Sequence, residues 1–178
     1  MVRIYKAKAG IPQQPAPAAE ATYKESIGVK EFEVENRGIE EGFFKYLCHE
    51  FHERSPFWHT YNLQYIYIGK GSCAIKMYME PEYSTPGDRV HGGTIAMLAD
   101  TAMGDAVISA TGRIYRTMDI NVTYLAPVLA GSELTAEGYV IHAGRTIAVA
   151  EAKLFNKENT LVAKTNGTFI VDNKMPPL

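Results

Sequence analysis

The apolar positions of this chain switch between two periods, and the switches outline its elements. From Ile39 onward, Phe43, Phe44, Leu47, Cys48 and Phe51 recur at three- and four-residue spacing, which predicts a helix with one apolar stripe. Ser55-Pro56 should end it, because the residue before a proline avoids helical dihedrals. The stretches "TYNLQYIYI" and "CAIKMYME" then read as two strands of a hairpin turning at Gly69-Lys70-Gly71. "PEYSTPGD" reads as a loop, and a second helix follows from about Gly93 to Ala110. In "YRTMDINVTYL" the period is two throughout. Met118, Ile120, Val122 and Tyr124 are expected on one face, and Thr117, Asp119, Asn121 and Thr123 on the other. Pro127 closes that strand. Three more strands are "ELTAEGYVIH" and "TIAVAEAKLF", meeting at Ala143-Gly144, and "LVAKTNGTFIV" after the turn at Lys157-Glu158-Asn159.

The order is helix, two strands, long helix, four strands, with turns short enough for antiparallel pairing. The long helix is thin, since Ala96, Ala99, Ala102, Gly104, Ala106 and Ala110 supply much of it. An α+β fold follows, in which one antiparallel sheet wraps its apolar face around the long central helix. Residues 1–38 are set apart. Pro, Ala and Gln dominate residues 1–22, residues 23–38 are charged and only weakly amphipathic, and the whole reads as a flexible or arm-like extension. Residues 39–178 form the domain.

Composition narrows the function. A chain of 178 residues, 46% hydrophobic and 21% charged, suits one globular domain. A net charge of −2 argues against a nucleic-acid partner, though one local basic patch could still grip a phosphorylated ligand. No apolar run reaches membrane-spanning length and no signal-peptide core opens the chain, so a soluble, cytoplasmic protein is expected. Cys48 and Cys73 match no zinc or redox spacing and read as buried thiols in a reducing compartment.

The long helix carries the chemistry. On a helical wheel, Gly93, Ala96, Asp100, Gly104 and Val107 share a face, so an acid is flanked by small side chains that leave room for something to approach. His91-Gly92-Gly93 opens the helix, where free backbone N–H groups and the positive end of the dipole collect, as in an oxyanion hole. Gly92 and Asp100 are eight residues apart, about 12 Å at 1.5 Å per residue. One carbonyl cannot touch both within a chain. If both act on one bond, the glycine of one subunit must meet the acid of another across a twofold axis.

The HGG-x6-D pattern, with "TMDINVTYLAPV", "AGRTIAVAEAKLFN" and "AKTNGTFIV" after it, closely resembles the hot-dog-fold acyl-CoA thioesterases, and within them the phenylacetate-pathway (PaaI-like) branch. The resemblance covers about residues 39–173. It implies hydrolysis of an acyl-CoA thioester to free acid and coenzyme A. Asp100 then matches the catalytic nucleophile or general base, Gly92 the amide that polarises the thioester carbonyl, Thr117 the residue that places water or the acid, and His91 the histidine that shapes the hole. Gly93 adjoins that hole. Gly144 and Arg145 fall where the fold can meet the coenzyme A phosphates. It also implies a homodimer as the minimal unit, paired into a homotetramer, with no cofactor beyond the coenzyme A of the substrate. Six residues before the histidine, relatives carry Asn or Gln to orient the carbonyl or the water; here stands Thr85, whose hydroxyl has a shorter reach.

Other residues carry less. His49 and His52 are spaced i, i+3 rather than the i, i+4 of a zinc-protease helix, and no metal site is expected. Asp105 lies about 140° around the helix from Asp100 and reads as structural or interfacial. Tyr65, Tyr67, Met77 and Trp58 are candidates to border an acyl pocket. The alternative to an enzyme is a non-catalytic acyl-CoA sensor, suggested by Thr85 and the N-terminal extension.

Overall fold

The structure, a computed structural model, describes residues 33–174. The expectation of a flexible extension therefore lies outside the described residues as far as residue 32. The compact unit begins at Glu33 rather than at Ile39. Strand β1 (Glu35–Arg37) accounts for the difference, because it pairs in parallel with β2 (Gln64–Gly69) at one edge of the sheet. Its three polar residues have no apolar period to announce them.

Helix α1 (Glu41–Leu47) starts where predicted. The Glu40 carboxylate accepts the N–H groups of Gly42 and Phe43 at 2.9 and 2.8 Å, meeting two donors that a helix start leaves free. It widens into one π-helical turn, Cys48–Glu53, before Ser55-Pro56 stops it. Pro56 then begins a second short helix, α2 (Pro56–Thr60), which the pattern did not reveal. A proline at the first helical position lacks only an N–H that would have no partner there anyway.

Strands β2 and β3 (Ser72–Tyr78) form the expected hairpin. The expected loop after them contains a 3-10 turn (Pro81–Tyr83) and a miniature hairpin, β4 (Ser84–Thr85) with β5 (Arg89–Val90). Gly87 and Asp88 turn that hairpin with φ of 95° and 57°. Helix α3 (Gly92–Thr111) follows and ends on Gly112 in the left-handed conformation.

Strands β6 (Arg113–Tyr124), β7 (Glu133–Ala143), β8 (Ile147–Asn156) and β9 (Leu161–Lys174) complete the order β1-β2-β3-β7-β8-β9-β6. All pairs except β1–β2 are antiparallel. The sheet wraps α3 as expected: Leu98, Ala99, Ala102, Met103 and Val107 are fully buried with Ile75, Leu134, Ala150, Leu154 and Phe169. The thin helix lies close enough that a Cβ on Gly138 of β7 would strike the Ala102 carbonyl.

Strand β6 departs from the unbroken alternation. Thr117 is opposite Phe169 and Asp119 opposite Thr168, so Met118 is an extra residue in a β-bulge. The bulge changes the phase. Thr117 turns toward α3, as do Ile120, Val122 and Tyr124 beyond it, whereas Asp119, Asn121 and Thr123 face the opposite side.

Candidate active site

Two groups of side chains gather along α3. The first is at its N-terminus. His91 is the N-cap, in extended conformation (φ −62°, ψ 134°), and its Nδ1 accepts the Gly93 N–H at 2.9 Å. Nδ1 accepts that N–H through its ring lone pair. The His91 carbonyl accepts the Thr94 N–H at 3.0 Å. Of the first three helical amides, only that of Gly92 has no partner among the described residues. A lone donor at the positive end of a 20-residue helix is suited to an oxygen that gains negative charge.

The second group surrounds Asp100, two turns further along. The Thr117 hydroxyl donates to Asp100 Oδ1 at 3.0 Å, a contact the β6 bulge makes possible. Burial pushes the Asp100 carboxyl above the usual carboxylate range, and the Thr117 hydrogen bond offsets part of that rise. A raised pKa strengthens a carboxylate as a base near neutral pH. Since α3 is continuous from Gly92 to Thr111, the separation of about 12 Å along the helix stands, and the two groups do not meet within one chain.

The remaining predicted residues lie elsewhere. Thr85 sits in β4, and its hydroxyl donates to the Arg89 carbonyl at 3.0 Å, across its own hairpin. Gly144 closes the β7–β8 turn, its N–H bonded to the Ile147 carbonyl at 2.8 Å. Arg145 is exposed beside it, and its backbone carbonyl accepts from the Arg113 guanidinium at 2.5 Å. The small residues flanking Asp100 leave less room than their size suggests. His91 covers Gly93, and the Tyr115 ring occupies the space that a side chain at Gly104 would need. Among the four pocket candidates, Trp58, Tyr65 and Met77 belong to the core, while Tyr67 lies under the Arg37 guanidinium at 3.6 Å.

Two features carry no signal in the sequence pattern. The Tyr124 hydroxyl donates to the Gly92 carbonyl at 2.8 Å, and Tyr65 donates to the buried Asp105 at 2.8 Å. The alternation of β6 places Tyr124 on a defined face, but nothing local links it to a glycine 32 residues earlier. Among the described residues, no three His, Cys, Asp or Glu side chains are grouped to hold a metal ion, and no helix is long and apolar enough to cross a membrane.

A sequence profile of the thioesterase superfamily matches residues 87–163, from the β4–β5 turn into β9. A solved structure from the thioesterase superfamily is 30% identical, with 71% of this chain and 97% of that one covered at a TM-score of 0.66. The chain belongs to the thioesterase superfamily. Its fold is the hot-dog fold of the PaaI-like kind: PaaI from the phenylacetic acid degradation operon of E. coli matches at a TM-score of 0.70, with 24% identity over 74% of this chain and 94% of that one. The medium/long-chain acyl-CoA thioesterase YigI of Escherichia coli is 32% identical over 97 residues, 46% of this chain and 62% of that enzyme. A Streptococcus mutans protein whose structure holds acetyl CoA is 27% identical, with 65% of this chain and 92% of that one covered at a TM-score of 0.62. The chain spans about 60 to 70% of the length of the curated relatives it matches.

Proposed function

We propose that this protein hydrolyses an acyl-CoA thioester to a free acid and coenzyme A, in a site that two subunits share. The observation that carries the reading is the pairing of one free helix-terminal amide, Gly92 N–H, with one base held by a hydroxyl, Asp100 with Thr117. Asp100 takes a proton from water, which adds to the thioester carbonyl carbon, or attacks that carbon directly, in which case water afterwards hydrolyses the resulting mixed anhydride to the free acid and restores the carboxylate. The carbonyl oxygen becomes an oxyanion and binds the Gly92 amide. Collapse then breaks the carbon–sulfur bond and releases coenzyme A as its thiolate, which takes up a proton. A thiolate leaves readily, so little acid assistance and neither a metal nor a redox cofactor is needed. His91 holds the Gly93 amide and so leaves Gly92 as the donor. The coenzyme A phosphates meet the Gly144 turn, a reading that the exposure of the cationic Arg145 there supports.

The shared site follows from the separation of about 12 Å and from β6, the last strand of the sheet. Among the described residues no strand pairs with one edge of its twelve residues, where Met118 is 58% and Tyr124 50% exposed. A long apolar edge is a template for a second strand, and β6 against β6 gives a twofold dimer. That homodimer is the minimal unit, paired into a tetramer.

The test is turnover of aryl-, short- and long-chain acyl-CoAs. Asp100→Asn should lower kcat at least ~10²-fold. Gly92→Pro should do the same with the helix start kept, because His91 is already extended and proline suits the first helical position. The proline Cβ also crowds the Tyr124 hydroxyl, so circular dichroism must show the variant folded. In wild type, kcat/KM should rise with pH through the raised Asp100 pKa. Equal rates for wild type and Asp100→Asn across the panel would sink the assignment. The second reading, an acyl-CoA sensor, draws on the Thr85 hydroxyl being engaged by Arg89; tight coenzyme A ester binding without turnover would favour it.

A further inference from the structure

The Gly92–Gly93 peptide unit is held at both of its polar ends by side chains. Tyr124 donates its hydroxyl to the carbonyl at 2.8 Å, and His91 Nδ1 accepts the N–H at 2.9 Å. The preceding unit, His91–Gly92, is held at its carbonyl by the Thr94 N–H at 3.0 Å. Among the described residues, these three bonds engage every polar group of the two units except one, the Gly92 N–H.

Two adjacent glycines at a helix start have the widest dihedral freedom of any pair, so an amide between them would sample many directions. The Tyr124 ring also restricts that freedom sterically. A Cβ built on Gly92 would lie 3.0 Å from the Tyr124 hydroxyl oxygen and 3.1 Å from Cζ. Gly92 is not among the residues with positive φ, so space rather than dihedral angle calls for glycine here. The tyrosine reaches this place from the far end of β6, in the inward phase that follows the Met118 bulge.

We propose that Tyr124 is a positioning residue: by clamping the Gly92–Gly93 peptide unit it aims the Gly92 N–H at the reacting carbonyl. The inference rests on the hydrolytic reading above. Tyr124 acts through Gly92, with its hydroxyl on the Gly92 carbonyl. A donor aimed at an oxyanion acts in the transition state, so its loss of aim lowers kcat and leaves KM nearly unchanged.

The experiment compares wild type, Tyr124→Phe, Gly92→Ala and the double variant, on the best acyl-CoA of the panel and by amide hydrogen exchange. Tyr124→Phe keeps the ring and should lower kcat about 10-fold with KM within about twofold. Gly92→Ala pushes the phenol off its bond and should lower kcat similarly. The double variant should be no worse than the poorer single, since both act on one hydrogen bond. Independently of turnover, Tyr124→Phe should speed exchange at the first-turn amides of α3 about 10-fold, which is the loss of one modest hydrogen bond. An unchanged kcat overturns the proposal, and so does a raised KM at constant kcat, which would make Tyr124 a substrate contact. Unchanged exchange overturns the clamp even if no acyl-CoA is turned over. Failure of the hydrolytic reading appears separately, as wild type and Asp100→Asn turning over equally.

Discussion

Asp105 sits five residues beyond Asp100 on α3, 4% exposed, with the Tyr65 hydroxyl donating to it at 2.8 Å. The wheel position assigns it a structural part, and it takes one. Its depth was not legible, because Tyr65 comes from β2, 40 positions away. Burial pushes its carboxyl up to about 7, with the Tyr65 bond opposing and the Asp100 charge adding to the rise. Folded Asp105 thus keeps its proton to near neutrality, whereas unfolded it would release it near 3.8. Between those values the folded state binds more protons, so stability is greatest in acid and falls as pH rises from about 4 to about 7. Three pKa units correspond to about 4 kcal/mol. Asp105→Asn should flatten this dependence, leaving the smaller slope of the same sign from Asp100. Denaturant unfolding at pH 5 and pH 8 measures it, and parallel pH dependence in wild type and variant would contradict the assignment.

At the scale of elements, the long periodic runs were readable, and what escaped was whatever adds or removes a residue. The six strands from β2, β3 and β6 to β9, and helix α3, lie within a few residues of where the periods put them. The bulge at Met118 was invisible, since one inserted residue leaves "TMDINVTY" looking like perfect alternation. It is also what turns Thr117 onto Asp100, so the site depends on an irregularity. Strands β1, β4 and β5 are too short to show a period: β1 forms on the edge that the longer β2 offers, and β4 and β5 form by pairing with each other across a tight turn. The small residues of α3, by contrast, pointed correctly to close contact with the sheet. That contact predicts a cost. At Gly138 a Cβ would meet backbone of Ala102 and Met103, which cannot swing aside as a side chain would. Gly138→Ala should destabilise the fold by about 3 kcal/mol, the upper end for overpacking. A change below about 0.5 kcal/mol in denaturant unfolding would mean that helix and sheet are less tightly apposed.

For the whole molecule, α3 holds the proposed donor and the proposed base about 12 Å apart, and among the described residues no strand pairs with the outer edge of β6. A dimer paired along β6 answers both conditions, and subunit mixing tests it with any one acyl-CoA that wild type turns over. Asp100→Asn has a good amide and no base; Gly92→Pro has a good base and no amide. Each homodimer should be inactive. A heterodimer formed by mixing them has one site with both groups and one with neither. Random reassortment of equal amounts makes half the dimers mixed, each with one of two sites intact, so about a quarter of wild-type activity should return. Recovery requires that the subunits exchange, which co-refolding or co-expression ensures and mass spectrometry of the dimers confirms. If Gly92 and Asp100 served the same site within one chain, every site in the mixture would lack one group, and no activity would appear. The outcome therefore separates a shared site from a self-contained one, and it does so by whether activity returns rather than by how much.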